Sequence, residues 1–162
     1  MENKQYPSGD TSDREIVLSR VFDAPRELVF EVWTQAEHVA QWWGPNGFTS
    51  TIYEMDVRPG GIWRLTMHGP DGTDYPNLIK YYEVVPPEKL VYNHSSGEPG
   101  DPGFHVTILF ETEGEMTRVN MHSIFVTKEV RDMVVEKYHA IEGGKQTLAR
   151  MGEYLKKIGT VA

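Results

Sequence analysis

His94 is the residue in this sequence best placed to do chemistry. It shares parity with Leu90 and Tyr92 near the end of a run of period two, so its ring is expected on the same face as theirs. An imidazole there has a pKa that its surroundings can tune towards neutrality, which suits acid–base work or a hydrogen bond to a ligand. A buried histidine is more often a hydrogen-bonded core residue, so both readings stand. His68, His105 and His122 alternate with apolar strand positions and are expected to face solvent. His38 and His139 lie on helices among polar neighbours. Glu136-Lys137-Tyr138-His139 has the Glu-x-x-His spacing of di-iron helices, but that site needs a second copy and further carboxylates. There is no His-Glu-x-x-His, and Gly143-Gly144-Lys145 lacks the first glycine and the Ser or Thr of a phosphate loop. No Gly-x-Ser-x-Gly elbow occurs. Without cysteine there is no thiolate metal site and no cysteine nucleophile. No metal and no cofactor is expected. Asp56, Arg58 and Gly60-Gly61 read as a tight turn with the acid and base paired.

These residues must be held by elements legible from periodicity. The longest is Glu129 to Ile158, where Val130, Val134, Tyr138, Ile141, Leu148, Met151, Leu155 and Ile158 form one helical stripe. Thr127 is the expected N-cap. The stripe skips Gly143-Gly144, which predicts either a close crossing over another element or a space for a ligand. Strands are expected at 14–22, 48–57, 61–68, 75–85, 89–95, 104–112 and 117–126, separated by turn residues at meander spacing. Trp63, Leu65 and Met67 share one face, as do Val106, Ile108 and Phe110, and Val119, Met121 and Phe125. Strands 14–22, 48–57 and 75–85 are apolar on both faces and cannot be oriented from the sequence. Two short helices follow the first strand: one capped by Asp23 with Pro25 in its first turn, the next opened by a capping box, Thr34 to Glu37. The sum is an α+β fold: a curved seven-stranded antiparallel sheet gripping a long C-terminal helix, with two short helices after the first strand. Residues 1–13 are expected to be a flexible tail and 14–162 one domain.

The formal net charge of −8 opposes binding to nucleic acid or to an anionic membrane. No apolar run is long enough to span a bilayer, and the polar start lacks a signal-peptide core, so the expected location is cytoplasmic. Asn93-His94-Ser95 matches a glycosylation sequon, read here as chance.

The stretches DAPRELVFEVWTQAEHVAQWWGP, DVRPGG and EVVPPEKLVY, in that order, resemble the activator-of-Hsp90-ATPase-like branch of the START-like, or helix-grip, superfamily. The resemblance covers residues 14 to 157. It implies a sheet wrapped round the C-terminal helix with a cavity between them. Many relatives carry a large residue in the long helix where this chain has Gly143-Gly144, which enlarges the cavity expected. Its walls would be Trp43 and Phe48 beside the second short helix, and Trp63, Leu65, Met67, Tyr81, Tyr92, His94, Phe110 and Met121 on the sheet. The helix would add Tyr138, Ile141, Gly144 and Leu148. That set is mostly apolar, with Tyr81, Tyr92, His94 and Tyr138 as polar handles; the plain alternative is aromatic core. The resemblance does not imply one function, since the superfamily includes lipid and steroid carriers, cyclases and co-chaperone domains; the first reading is a protein that binds a small hydrophobic molecule, lipid-like or aromatic. Two other readings stay open: a polyketide cyclase-like enzyme using His94 with a Tyr, and a co-chaperone-like interaction domain with a chaperone partner. A homodimer is compatible with all three.

Overall fold

Alternating apolar residues and tight turns build one antiparallel sheet in this computed structural model, which describes Pro7 and residues 9–159. The strands are β1 (Glu15–Phe22), β2 (Thr49–Met55), β3 (Ile62–His68), β4 (Asp74–Val85), β5 (Lys89–Ser95), β6 (Phe104–Glu113) and β7 (Met116–Ile124). They lie in the order β1-β7-β6-β5-β4-β3-β2, so β2 to β7 are consecutive hairpins and β1 pairs with β7. Between β1 and β2 stand α1 (Arg26–Thr34) and α2 (Ala36–Trp42); after β7 come α3 (Lys128–Lys137) and α4 (Ala140–Gly159). Every expected strand is present with its ends within a few residues.

The long stripe is broken. It forms two helices, because His139 adopts a left-handed conformation (φ 53°) between α3 and α4. Histidine is one of the few non-glycine residues enriched there, and no Gly or Pro marks the site in the sequence. The two halves pack differently. No residue of α3 is fully buried, whereas α4 buries Leu148, Met151 and Leu155 against the sheet. Each fully buried side chain of that kind contributes roughly 1.5–3 kcal/mol. Thr127 caps α3 as expected, accepting from the Val130 N–H at 3.1 Å.

Two expected caps do not form. Helix α1 starts after Pro25, whose carbonyl accepts from Leu28 and Val29, so the cap position is Pro25 and not Asp23. Thr34 ends α1, and its hydroxyl donates back to the Phe30 carbonyl at 2.8 Å, so it is not available to open α2. At the N-terminus, residues 1–6 and 8 of the expected tail lie outside the described residues. The rest is docked from Thr11: its hydroxyl donates to Glu15, Ser12–Arg14 forms a 3-10 turn, and Arg14 exchanges bonds with the Phe125 backbone.

The structure orients the three ambiguous strands. Ile16, Leu18 and Phe22 of β1 share the inward face, while Val17 points out and is 62% exposed. In β2 the register shifts between Ile52 and Glu54, so Ile52 faces Leu65 and Met55 faces Trp63. In β4 it shifts between Tyr81 and Glu83, so Tyr81 pairs with Tyr92 and Val84 with Leu90. Each bulge moves the apolar set by one residue, which is why alternation fails in the sequence. Among the described residues no helix is long and apolar enough to cross a membrane.

Candidate functional site

The inward face of the sheet is aromatic where it meets α1, α2 and the turn after α2. Trp33 and Val32 of α1 are buried there, and the Trp42 indole N–H donates to the Val32 carbonyl at 3.0 Å. That bond fixes α2 on α1. Trp43 then sits at the centre of four rings: its centroid is 4.8 Å from Trp63, 5.5 Å from Trp42, 6.2 Å from Trp33 and 6.3 Å from His94. Edge-to-face pairs of this kind gain about 0.5–1.5 kcal/mol each beyond burial. The turn carrying Trp43 is held from the opposite side. Arg150 of α4 donates through Nη1 to the carbonyls of Gly44 (2.7 Å) and Pro45 (3.0 Å), with that of Trp43 at 3.4 Å. Gly44 has φ 103°, and a Cβ there would meet the Met67 methyl at 3.0 Å, so the turn requires glycine.

His94 faces Ile79 across β4–β5 and Phe104 across β5–β6, and its ring lies on that inward face against Phe104 (4.9 Å) and Trp43. Its Nε2 bonds the side-chain oxygen of Asn77. Burial pushes its pKa down to about 4, with the Asp101 carboxylate offsetting only part of the effect. The ring is therefore neutral at pH 7. Its lowered folded pKa has a defined consequence. As pH falls from about 6.5 to about 4, the unfolded chain takes up a proton that the folded ring refuses, so stability present above that window is lost across it. His94→Gln is expected to flatten this part of the curve. Urea midpoints at pH 7 and near pH 4.5 check it; equal losses in both proteins would assign the acid sensitivity elsewhere.

The other expected wall residues separate into two groups. Trp63, Leu65, Tyr81, Tyr92, Phe110 and Leu148 are fully buried in the core that contains Trp43, and Met67 and Met121 are half-buried against it. Burial raises the pKa of both Tyr81 and Tyr92, so each stays a neutral phenol. Phe48 sits at the rim beside Tyr75 (5.9 Å). Ile141 is half-buried in the first turn of α4. Tyr138 stands outside: it is 54% exposed at the α3–α4 break, because that break turns it away from the stripe. Gly144 is in close contact with β1, where a Cβ would lie 2.4 Å from the Leu18 methyl, so its missing side chain is replaced by Leu18. Two contributors were not singled out from the sequence: Asn77, whose polar side chain in β4 gave no signal, and Phe104.

The remaining histidines are accounted for. His105, expected to face solvent, is buried on the outer face, where Tyr82 stacks over it at 6.2 Å. His68 and His122 are half-exposed and pair with Asp74 (2.7 Å) and Glu15 (2.8 Å). His38 bonds the Tyr154 hydroxyl. Arg58 pairs with Asp56 at 2.7 Å in the expected turn. Among the described residues no three His, Asp or Glu side chains converge to hold a metal ion.

The sequence profile of the family described as activator of Hsp90 ATPase homolog 1-like protein matches residues 23–156. The chain belongs to this family. Its fold is the START-like helix grip, shared with solved structures of low sequence identity. A protein from Nitrosomonas europaea superposes with TM-score 0.79 at 24% identity, covering 91% of this chain and 97% of that one. One from Mycobacterium smegmatis gives 0.83 at 20%, covering 93% and 96%. A Silicibacter pomeroyi protein named for the same family gives 0.72 at 21%, covering 88% and 97%. At these identities the likeness shows the fold. No curated protein matches the chain.

Proposed function

We propose that this activator-of-Hsp90-ATPase-like protein binds a small hydrophobic molecule, lipid-like or aromatic, between the inward face of its sheet and α4. One observation carries the reading. Most of the inward face is sealed, yet Leu18, Met67, Phe104 and Met121 remain only half-buried on it, in company with His94. Apolar side chains on the concave face of a sheet that keep accessible surface are the lining expected of a ligand site. The partner of His94 favours binding over acid–base catalysis. A catalytic ring would be oriented by a carboxylate or a tyrosine within hydrogen-bond reach, and here the partner is the Asn77 amide.

Native mass spectrometry of protein purified from its own host tests the proposal, with a co-purifying small molecule as the expected result. Phenylnaphthylamine, a neutral dye that fluoresces in apolar surroundings, gives a second readout. It should bind saturably at one site, and His94→Gln should weaken it several-fold while the melting temperature holds. Loss of stability with unchanged dye affinity would make His94 a core residue. Failure of the dye to bind, with no co-purifying molecule, would remove the proposal.

A further inference from the structure

Three side chains on the outer face of the sheet form a hydrogen-bonded relay that the ligand site does not use. The Thr51 hydroxyl of β2 lies 2.7 Å from His68 Nε2 of β3. His68 Nδ1 lies 2.7 Å from a carboxylate oxygen of Asp74, the first residue of β4. Strand register brings them together: Thr49 stands opposite His68, Thr51 opposite Thr66, and His68 opposite Asp74. Trp63, Leu65 and Met67 point inward, so by alternation Thr66 and His68 take the outer face, on the far side of the sheet from His94. The hairpin between His68 and Asp74 is closed by the Gly69 N–H, which donates to the Thr73 carbonyl at 2.8 Å, and by Asp71, which accepts from the Thr73 N–H at 2.9 Å. The relay is thus built on strand ends joined by a tight turn rather than on a long loop.

Hydroxyl, imidazole and carboxylate in this order are what nucleophilic acyl transfer needs. An ionised carboxylate only accepts, so Asp74 receives a proton carried on Nδ1. In the neutral ring Nε2 is then bare and accepts the Thr51 O–H. The hydroxyl proton therefore already lies on the line to its base. His94 differs, because its partner is the Asn77 amide. Strand β2 is the last of the sheet, so alternate backbone N–H groups beside Thr51 have no further strand to pair with and are open to a developing oxyanion. Tyr53 is 60% exposed, and its hydroxyl donates to Thr66 at 3.1 Å. Thr66 is the residue opposite Thr51, so an exposed aromatic ring stands next to the hydroxyl.

The geometry points to an acyl-transfer site for small aryl esters, with Thr51 as nucleophile, His68 as base and Asp74 as the residue that positions the ring. Thr51 Oγ1 bonds the ester carbonyl carbon while its proton passes to His68 Nε2. The bond from that carbon to the aryl oxygen breaks, and the phenol leaves with the proton from His68. A water then gives a proton to His68 as its oxygen bonds the acyl carbon. The bond to Thr51 Oγ1 breaks, the hydroxyl regains a proton from His68, and a carboxylic acid departs. Ester and water become phenol and acid, and no oxidant or other co-reactant is consumed. An exposed site supplies little binding energy, so an ester with a good leaving group is the substrate it fits. The relay and the inward ligand site lie on opposite faces, and each stands or falls without the other.

The probe is p-nitrophenyl acetate, with released nitrophenolate followed by absorbance and acid-quenched protein mapped by mass spectrometry. The intact protein is expected to turn the ester over faster than free imidazole at the same concentration. Thr51→Val and His68→Gln should each lower kcat/KM at least about tenfold, background reaction elsewhere on the surface hiding part of the roughly hundredfold that a placed base contributes. Asp74→Asn should lower kcat severalfold with KM within about twofold, a split that a residue holding only the hairpin would not produce. All three are surface changes and should leave the urea midpoint nearly where it was. Turnover that survives any one of the three changes overturns the inference, as it would if a histidine or lysine attacked the ester alone. So does turnover by the intact protein no faster than that of free imidazole. If a variant does not fold, the quenched unmodified protein decides: an acetyl group on Thr51 supports the relay, and its absence overturns it.

Discussion

Gly61→Ala is expected to destabilise the protein by about 3 kcal/mol or more, placing it among the severe single substitutions. A Cβ at Gly61 would lie 2.0 Å from the Asp56 carbonyl oxygen and 3.1 Å from that of Arg58. Both are backbone atoms, so no rotamer change relieves the clash. The turn cannot simply open, because it is tied to β4. The Gly60 N–H donates to the Tyr81 carbonyl at 2.8 Å, and the Tyr81 N–H donates to the Gly61 carbonyl at 3.0 Å. Displacing the turn therefore loosens Tyr81, a fully buried residue of the inward face. Gly60 is the internal control. It has φ 84° and open space round a built Cβ, so Gly60→Ala carries only the left-handed backbone cost of about 1–2 kcal/mol. Urea denaturation of the two variants, with comparable slopes, compares them directly. If Gly61→Ala proves no worse than Gly60→Ala, the close approach at Asp56 is wrong.

Gly144→Leu is expected to cost about 1–3 kcal/mol through overpacking, even though leaving glycine returns about 1 kcal/mol of helix propensity. The first atom added already meets Leu18 at 2.4 Å. Helix α4 has little freedom to lift away. Gly143 rests against Pro45, where a Cβ would lie 3.3 Å from the ring. Arg150 binds the same turn through the Gly44 and Pro45 carbonyls. Gly144→Ala is the milder case, because the obstructing atom is the end of a flexible side chain; propensity and displacement of Leu18 should nearly cancel. A double-mutant cycle with Leu18→Ala isolates the contact, and the smaller partner should recover much of the Gly144→Leu loss. A Gly144→Leu protein more stable than the parent would show free space under the helix and extend the ligand site to this position.

Strand existence was legible because it depends on neighbours along the chain. Trp63, Leu65 and Met67 alternate with polar residues and are bounded by turn residues, and they form β3 with those three side chains inward. The same holds for Val106, Ile108 and Phe110 in β6. Family membership was legible for a related reason: the Trp-Trp-Gly-Pro turn, the Asp56-to-Gly61 turn and the Pro-Pro-Glu turn are short local signatures, and the family profile spans residues 23–156. The expected helix caps at Asp23 and Thr34 failed where two local preferences competed. A threonine suited to open α2 is also the last residue of α1, and the carbonyl one turn back captured its hydroxyl.

The sequence by itself therefore determined the element order, the inward faces of the regular strands and the family, because hydrophobic period and turn chemistry act over a few residues. Only the tertiary structure decided the rest. The bulges in β2 and β4 place Met55 and Val84 inward by adding one residue to a ladder, a choice made by the partner strand. The break at His139 lets α3 and α4 leave one line, which puts Tyr138 in solvent and Leu148 in the core. His105 is buried because Tyr82, on another strand, covers it. Gly144 reads as a hole in a helical stripe, yet Leu18 lies more than a hundred residues earlier and fills it.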